Sequence, residues 1–126
     1  MGNFDIDLNF GQIYEEKIRK LFEGEGSIEV KTERDIWADT GNIAIEIRSR
    51  GKPSGLSITD AKWWIQVFTV DKDVKFMLMF RVDRLRKAIK YLYANELAPL
   101  IKGGDNNTSD LILVPIATLL LLNKKF

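Results

Sequence analysis

Apolar and polar positions fall into short blocks whose period changes along the chain. Asp5, Ile6, Asp7, Leu8, Asn9 and Phe10 alternate strictly, as a short leading strand would. From Gly11 to Phe22 the period becomes helical: Ile13, Tyr14, Ile18, Leu21 and Phe22 form one stripe, and Gly24 and Gly26 end it. Ser27 to Ala38 reads as a strand, Asp39-Thr40-Gly41-Asn42 as a tight turn, and Asn42 to Arg50 as a second, Ile-rich strand. Gly51 to Gly55 is a loop. Ser57 or Thr59 caps a predicted helix running to about Phe68. Its Trp63 and Trp64 make it apolar on two sides, as in a sandwiched helix or one at a dimer contact. Phe76 to Phe80 is a run of five apolar residues, expected of a strand buried on both faces. Val82 to Tyr93 is an amphipathic helix, with Leu85, Ile89 and Leu92 inward and Arg84, Arg86, Lys87 and Lys90 mostly outward. Gly103 to Ser109 is a polar loop, Leu111 to Ile116 a strand, and Ala117 to Asn123 a last turn or two of helix. Intermixed helices and strands predict an α/β (α+β) domain over residues 1–126, one central mixed sheet flanked by helices.

A two-residue turn at Thr40-Gly41 would make the two strands around it an antiparallel hairpin. Asp35 would then face Glu46, Glu33 would face Arg48, and Lys31 would face Arg50. Glu29, Lys31, Glu33, Asp35, Glu46, Arg48 and Arg50 would share one face, and Ile28, Val30, Ile36, Ala38, Ile43, Ile45 and Ile47 the core face. Carboxylates placed directly opposite each other in a sheet repel, so Asp35 and Glu46 call for a cation or a proton between them. Glu15 lies on the preceding helix with Ile18 and Phe22, a spacing that suits either an inward position toward this ladder or a rim position. The bland alternative is a solvated ribbon face with Glu33–Arg48 as an ordinary pair.

Composition narrows the chemistry. The 126 residues include no Cys and no His. Disulfides, thiolate-bound zinc, thiol catalysis, the Ser-His-Asp triad and imidazole acid–base work are therefore excluded. What remains is carboxylate, Lys, Arg, Tyr and hydroxyl chemistry, suited to a hard cation such as Mg²⁺. The net charge of +1 hides an asymmetry: residues 1–46 carry 5 Lys+Arg against 11 Asp+Glu, and residues 47–102 carry 12 against 5. Such a layout can set a cation site beside a surface for a polyanion. No signal peptide is visible, and the apolar run Leu111 to Leu122 is too short for a membrane span and contains Pro115. The expected setting is cytoplasmic, with no membrane partner.

A helical Glu, an Asp on one strand, Glu-x-basic on the next, and a helix beyond resemble the PD-(D/E)XK nuclease superfamily, which includes many restriction enzymes and the archaeal Holliday junction resolvases. The stretch Asp35-Ile-Trp-Ala-Asp-Thr-Gly-Asn-Ile-Ala-Ile-Glu46-Ile-Arg48 is similar to the resolvase segment. Glu29-Val-Lys-Thr-Glu-Arg-Asp35, Thr40-Gly-Asn-Ile-Ala-Ile-Glu46 and Arg50-Gly-Lys-Pro-Ser-Gly-Leu56 are similar to small phage and marine-environmental proteins of that type. Gly103-Gly-Asp-Asn-Asn107 and Leu113-Val-Pro115 fit the same group.

The resemblance implies a restriction-endonuclease-like fold and metal-dependent DNA endonuclease activity, with Mg²⁺ (or Mn²⁺) as cofactor and a homodimer to cut two strands. It implies Asp35, Glu46 and Glu15 as metal ligands, with Glu33 and, more weakly, Glu29 as spare ones. The pattern has Lys where this chain has Arg48, and Arg holds its proton too firmly to act as a base. Lys31 is therefore the expected catalytic lysine. Arg48, Arg50, Lys52, Ser54 and Lys62 are the expected DNA contacts. The competing expectation is a catalytically degenerate nucleic-acid-binding or assembly module on the same fold.

Overall fold

The computed structural model describes residues 2–24 and 27–126, and the side chains of these apart from 2–8, 22 and 123. Among the described residues four α-helices are found: α1 (Gly2–Phe22), α2 (Ile36–Thr40), α3 (Val82–Ala94) and α4 (Ile116–Asn123). The strands are β1 (Ile28–Arg34), β2 (Asn42–Ser49), β3 (Lys52–Pro53), β4 (Trp63–Val70), β5 (Asp73–Arg81), β6 (Leu100–Gly103) and β7 (Ser109–Pro115). They form two sheets where the periodicity predicts one. The first is mixed, in the order β1-β4-β5, with β1 parallel to β4 and β4 antiparallel to β5. The second is antiparallel, in the order β3-β2-β7-β6. The architecture is thus α+β, with sheets flanked by helices. No helix among the described residues is long and apolar enough to cross a membrane.

The expected hairpin at Thr40-Gly41 does not form. β1 pairs with β4 and β2 with β7, so Asp35 does not face Glu46, Glu33 does not face Arg48, and Lys31 does not face Arg50. Residues Ile36 to Thr40 instead make a helical turn, closed by Gly41 in the left-handed region at φ 72°. Trp37 accounts for the switch. Its indole N–H donates to the carbonyl of Thr69 at 2.8 Å, and its ring packs edge-on against Phe68 at 5.2 Å and Phe76 at 5.3 Å. Those contacts tie the segment after β1 to the far ends of β4 and β5, which a two-residue turn cannot reach.

Three other expectations are corrected. Asp5 to Phe10 belongs to α1, because its alternation also contains the i, i+4 spacing that Phe10, Tyr14 and Ile18 continue. The segment after Ser57 does not continue as a helix to Phe68: only Gly55–Ser57 makes a 3-10 turn, and Trp63–Val70 is a strand. Its aromatic and β-branched residues suit a pleated surface, and the two tryptophans point to opposite faces of it. β5 is an edge strand, so Phe76, Met77 and Met79 are exposed and the run is not buried on both faces.

One hydrophobic cluster joins the two sheets. Trp64, Phe68 and Phe80 come from the inner face of β4 and β5, and Ile43, Ile45, Ile112 and Val114 from β2 and β7. Helix α3 adds Leu85, Ala88, Ile89 and Leu92, and α4 adds Leu119, in line with the predicted inward stripe of residues 82–93. Arg86, expected outward, instead turns its guanidinium to the carbonyls of Leu56 (2.8 Å) and Thr59 (2.6 Å) and locks the loop before β4 onto α3.

Phe68 is fully buried and stacks on Phe76 with ring centroids 4.4 Å apart. Phe68→Ala is expected to cost about 3–5 kcal/mol in urea unfolding. A cost below about 1 kcal/mol, as for an exposed position, would contradict this core.

Candidate functional site

In β1, Glu29, Lys31 and Glu33 turn inward and are half-buried, while Val30, Thr32 and Arg34 are exposed. The polar set was expected to face away from the core, with Ile28 and Val30 toward it. The parallel pairing explains the inversion: Glu29, Lys31 and Glu33 lie beside Trp64, Gln66 and Phe68, the inward residues of β4. Val30 is left 55% exposed.

Glu33 spans the two sheets. One carboxylate oxygen accepts the backbone N–H of Ala44 at 2.9 Å and the side-chain amide of Gln66 at 3.0 Å. The carbonyl oxygen of the Gln66 side chain in turn accepts the indole N–H of Trp64 at 2.8 Å. Gln66 and Trp64 are buried, so these polar atoms need such partners. β7 pairs with one edge of β2, and β3 covers the other edge only at Arg48 and Ser49. The Ala44 N–H lies on that open stretch, and the Glu33 carboxylate takes the place of a neighbouring strand. Burial holds the Glu33 carboxyl above its ordinary value, and the Ala44 N–H opposes this in part.

Glu46 lies two residues along β2, about 7 Å from Ala44. It is half-buried, and its carboxylate accepts the hydroxyl of Ser109 at 3.0 Å. A register shift between Glu46 and Arg48 re-aims the strand beyond it. Gly55, at φ 52°, packs so closely that a Cβ there would collide with the Glu46 carbonyl. Glu46, Ser49, Arg50, Gly104, Asp105, Thr108 and Ser109 line a shallow polar depression. The loops after β2 and β6 meet there, where the N–H of Arg50 donates to the Thr108 carbonyl at 2.8 Å.

The remaining expected residues are spread more widely. Lys31 has its ammonium 3.8 Å from Glu29 and 6.0 Å above the Trp64 ring. Asp35 is exposed beyond the end of β1, where it accepts the N–H of Asp71 at 2.8 Å. Glu15 is exposed on α1. Arg48, Arg50, Lys52 and Lys62 are exposed, and Ser54 is half-buried with a hydroxyl oxygen that has no hydrogen-bond partner. Among the described residues, no three carboxylates converge as a metal cage. The expected set of Asp35, Glu46 and Glu15 with Glu33 as a spare is therefore not assembled. The Glu33 carboxylate meets the open edge of β2 at Ala44 and that of Glu46 turns to Ser109 of β7, and Mg²⁺ commonly takes one or two carboxylates and completes its shell with water and phosphate oxygens.

The sequence reading did not single out Gln66, Ser109 or Asp105. Gln66 was legible in principle, as a lone polar residue inside the apolar run from Trp63 to Val70. Ser109, at the start of β7, carries no such signal, and Asp105 figured only within the Gly103–Asn107 stretch and not as a site residue. Compared with models of known families, with curated proteins and with solved structures, the chain matches none.

The raised Glu33 carboxyl fixes a pH dependence. As pH falls, the folded form takes up its proton before the unfolded chain does. The contribution to stability is full below the ordinary Glu value and is lost as pH rises through the raised folded value. Glu33→Gln keeps an acceptor for Ala44 and removes the buried charge. The variant is expected to flatten this part of the pH–stability profile and to melt at or above the wild type at neutral pH. A variant less stable by more than about 2 kcal/mol at every pH would contradict the assignment.

Proposed function

We propose that the chain binds DNA and hydrolyses its phosphodiester bonds with Mg²⁺ or Mn²⁺, as a small resolvase-like endonuclease on a restriction-endonuclease-like scaffold. The observation that carries this reading is a pair of half-buried carboxylates each held by hydrogen bonds, Glu33 at the open edge of β2 and Glu46 in the polar depression beside Ser109. Lys31 stands on the same face of β1 as Glu33, and Arg50 lines the same depression as Glu46. Glu46 and Glu33 would hold the cation, which supplies Lewis-acid polarisation of the phosphate and a more acidic bound water. Ser109 orients the Glu46 carboxylate, and Gln66 and Ala44 orient that of Glu33. Lys31 stabilises charge developing on the phosphate. Arg48, Arg50, Lys52 and Lys62 dock the backbone, with the Ser54 hydroxyl as a further donor. In this arrangement Asp35 and Glu15 are not ligands.

A second reading is a nucleic-acid-binding module that does not cut. It is favoured by Arg48 standing where the nuclease pattern has Lys, and by the Glu33 oxygen already engaged with two donors. Cleavage of linear, nicked and branched DNA with Mg²⁺ or Mn²⁺ separates the two. The nuclease reading predicts cutting that falls by about 10²–10³ in Glu46→Gln and in Lys31→Ala, with DNA affinity nearly unchanged in Lys31→Ala. Wild-type binding without cutting on every DNA form would leave the binding module.

Binding by either route is electrostatic. Each phosphate contact contributes about −0.9 to the slope of log K against log salt. Arg50→Ala combined with Lys52→Ala is expected to flatten that slope by roughly 2. Salt-independent binding, or none at low salt, would rule out a nucleic-acid partner.

A further inference from the structure

The outer face of the first sheet carries an apolar patch. Val30 of β1 and Val74, Met77 and Met79 of β5 are exposed around the buried Ile65 and half-buried Val67 of β4, with Thr32 and Arg34 of β1 at its margin. A contiguous apolar face of this size on a globular domain marks a contact surface. Among the described residues the chain also carries an exposed apolar surface that would fit it. Along α1, Phe10, Ile13, Tyr14 and Ile18 are 46–62% exposed and fall on one side of the helix. The stripe is already organised, with Phe10 and Tyr14 rings 4.8 Å apart and the Lys17 ammonium 5.0 Å over Tyr14. Among the described residues α1 makes at most slight contact with the other elements.

We propose that the α1 helix of one copy of this chain lies across the outer face of the β1-β4-β5 sheet of a second copy, and that the exchange is reciprocal. The dimensions agree. A helix of 21 residues is about 31 Å long. Strands of 7–9 residues run about 23–31 Å. Three strands are about 10 Å wide from first to last, close to the diameter of a helix with its side chains. Partly exposed apolar side chains at roughly 100 Å² each sum to about 800 Å² per chain over helix and sheet, the contribution expected of each partner in a stable, specific interface. A two-fold exchange uses every such surface once and closes, leaving no sheet face for a third copy. This reading stands independently of any nuclease activity, because the face lies opposite Lys31 and Glu33.

The absence of cysteine allows a direct test. Two full-length chains of different tag size, one carrying Tyr14→Cys and the other Met77→Cys, are mixed and treated with a short bis-maleimide. The proposal expects a cross-linked species containing both tags. It also expects wild-type chain to sediment as a dimer that dissociates on dilution, and Ile13→Asp combined with Ile18→Asp to be monomeric with an unchanged sheet signal in circular dichroism. A wild type that stays monomeric at all concentrations would overturn it. So would a link from position 14 to 77 formed only within a single chain carrying both substitutions, which would place α1 on its own sheet. Coupling of position 14 only to another position 14 would mean helix–helix association and would equally overturn it.

Discussion

The carboxylate of Glu33 joins the two sheets, and most of the candidate site depends on that junction. An open edge of β2 presents backbone donors that need partners, and among the described residues no strand runs along that edge at Ala44, on the side away from β7. One Glu33 oxygen accepts that N–H together with the Gln66 amide, which in turn accepts the Trp64 indole. A half-buried carboxylate is costly to keep charged, and its raised proton affinity records the cost. In return the inner face of β1 is fixed against β2, with Glu46 two residues further along.

Much of the secondary half of the fold was legible in the sequence. Strong helical periodicity marked α3, and its inward residues are the ones that periodicity selects. The Ile-rich alternation of β2 located Ile43 and Ile45 in the core, and the run from Leu111 located β7. These elements pack against a large apolar neighbour on one side, so their sequence pattern and their burial agree.

The pairing of β1 was not legible, and the reason is physical. Alternation fixes which residues share a face, not which face is buried, and β1 carries charges on one face against Val30 and Thr32 on the other. Hydrophobicity alone turns the charges outward. Gln66 and the β2 edge supply partners for Glu33 that no local pattern announces, and the strand faces the other way. The Asp39-Thr40-Gly41-Asn42 stretch carries a strong turn signal, yet the anchoring of Trp37 on Phe68, Phe76 and the Thr69 carbonyl outweighs it. The abundance of carboxylate at this end of the molecule was visible in advance, whereas the choice of Glu33 over Asp35 depended on tertiary pairing.

The Ala44 amide tests the junction most directly. In an isotope-labelled sample its proton should exchange slowly with solvent, and its chemical shift should follow a titration shared with the Glu33 side chain, at a pH above the ordinary Glu value. Both behaviours should disappear in Glu33→Ala. An Ala44 amide that exchanges as fast as an open strand edge, or that ignores the Glu33 titration, would contradict the joined-sheet account and reopen the antiparallel pairing of β1 with β2.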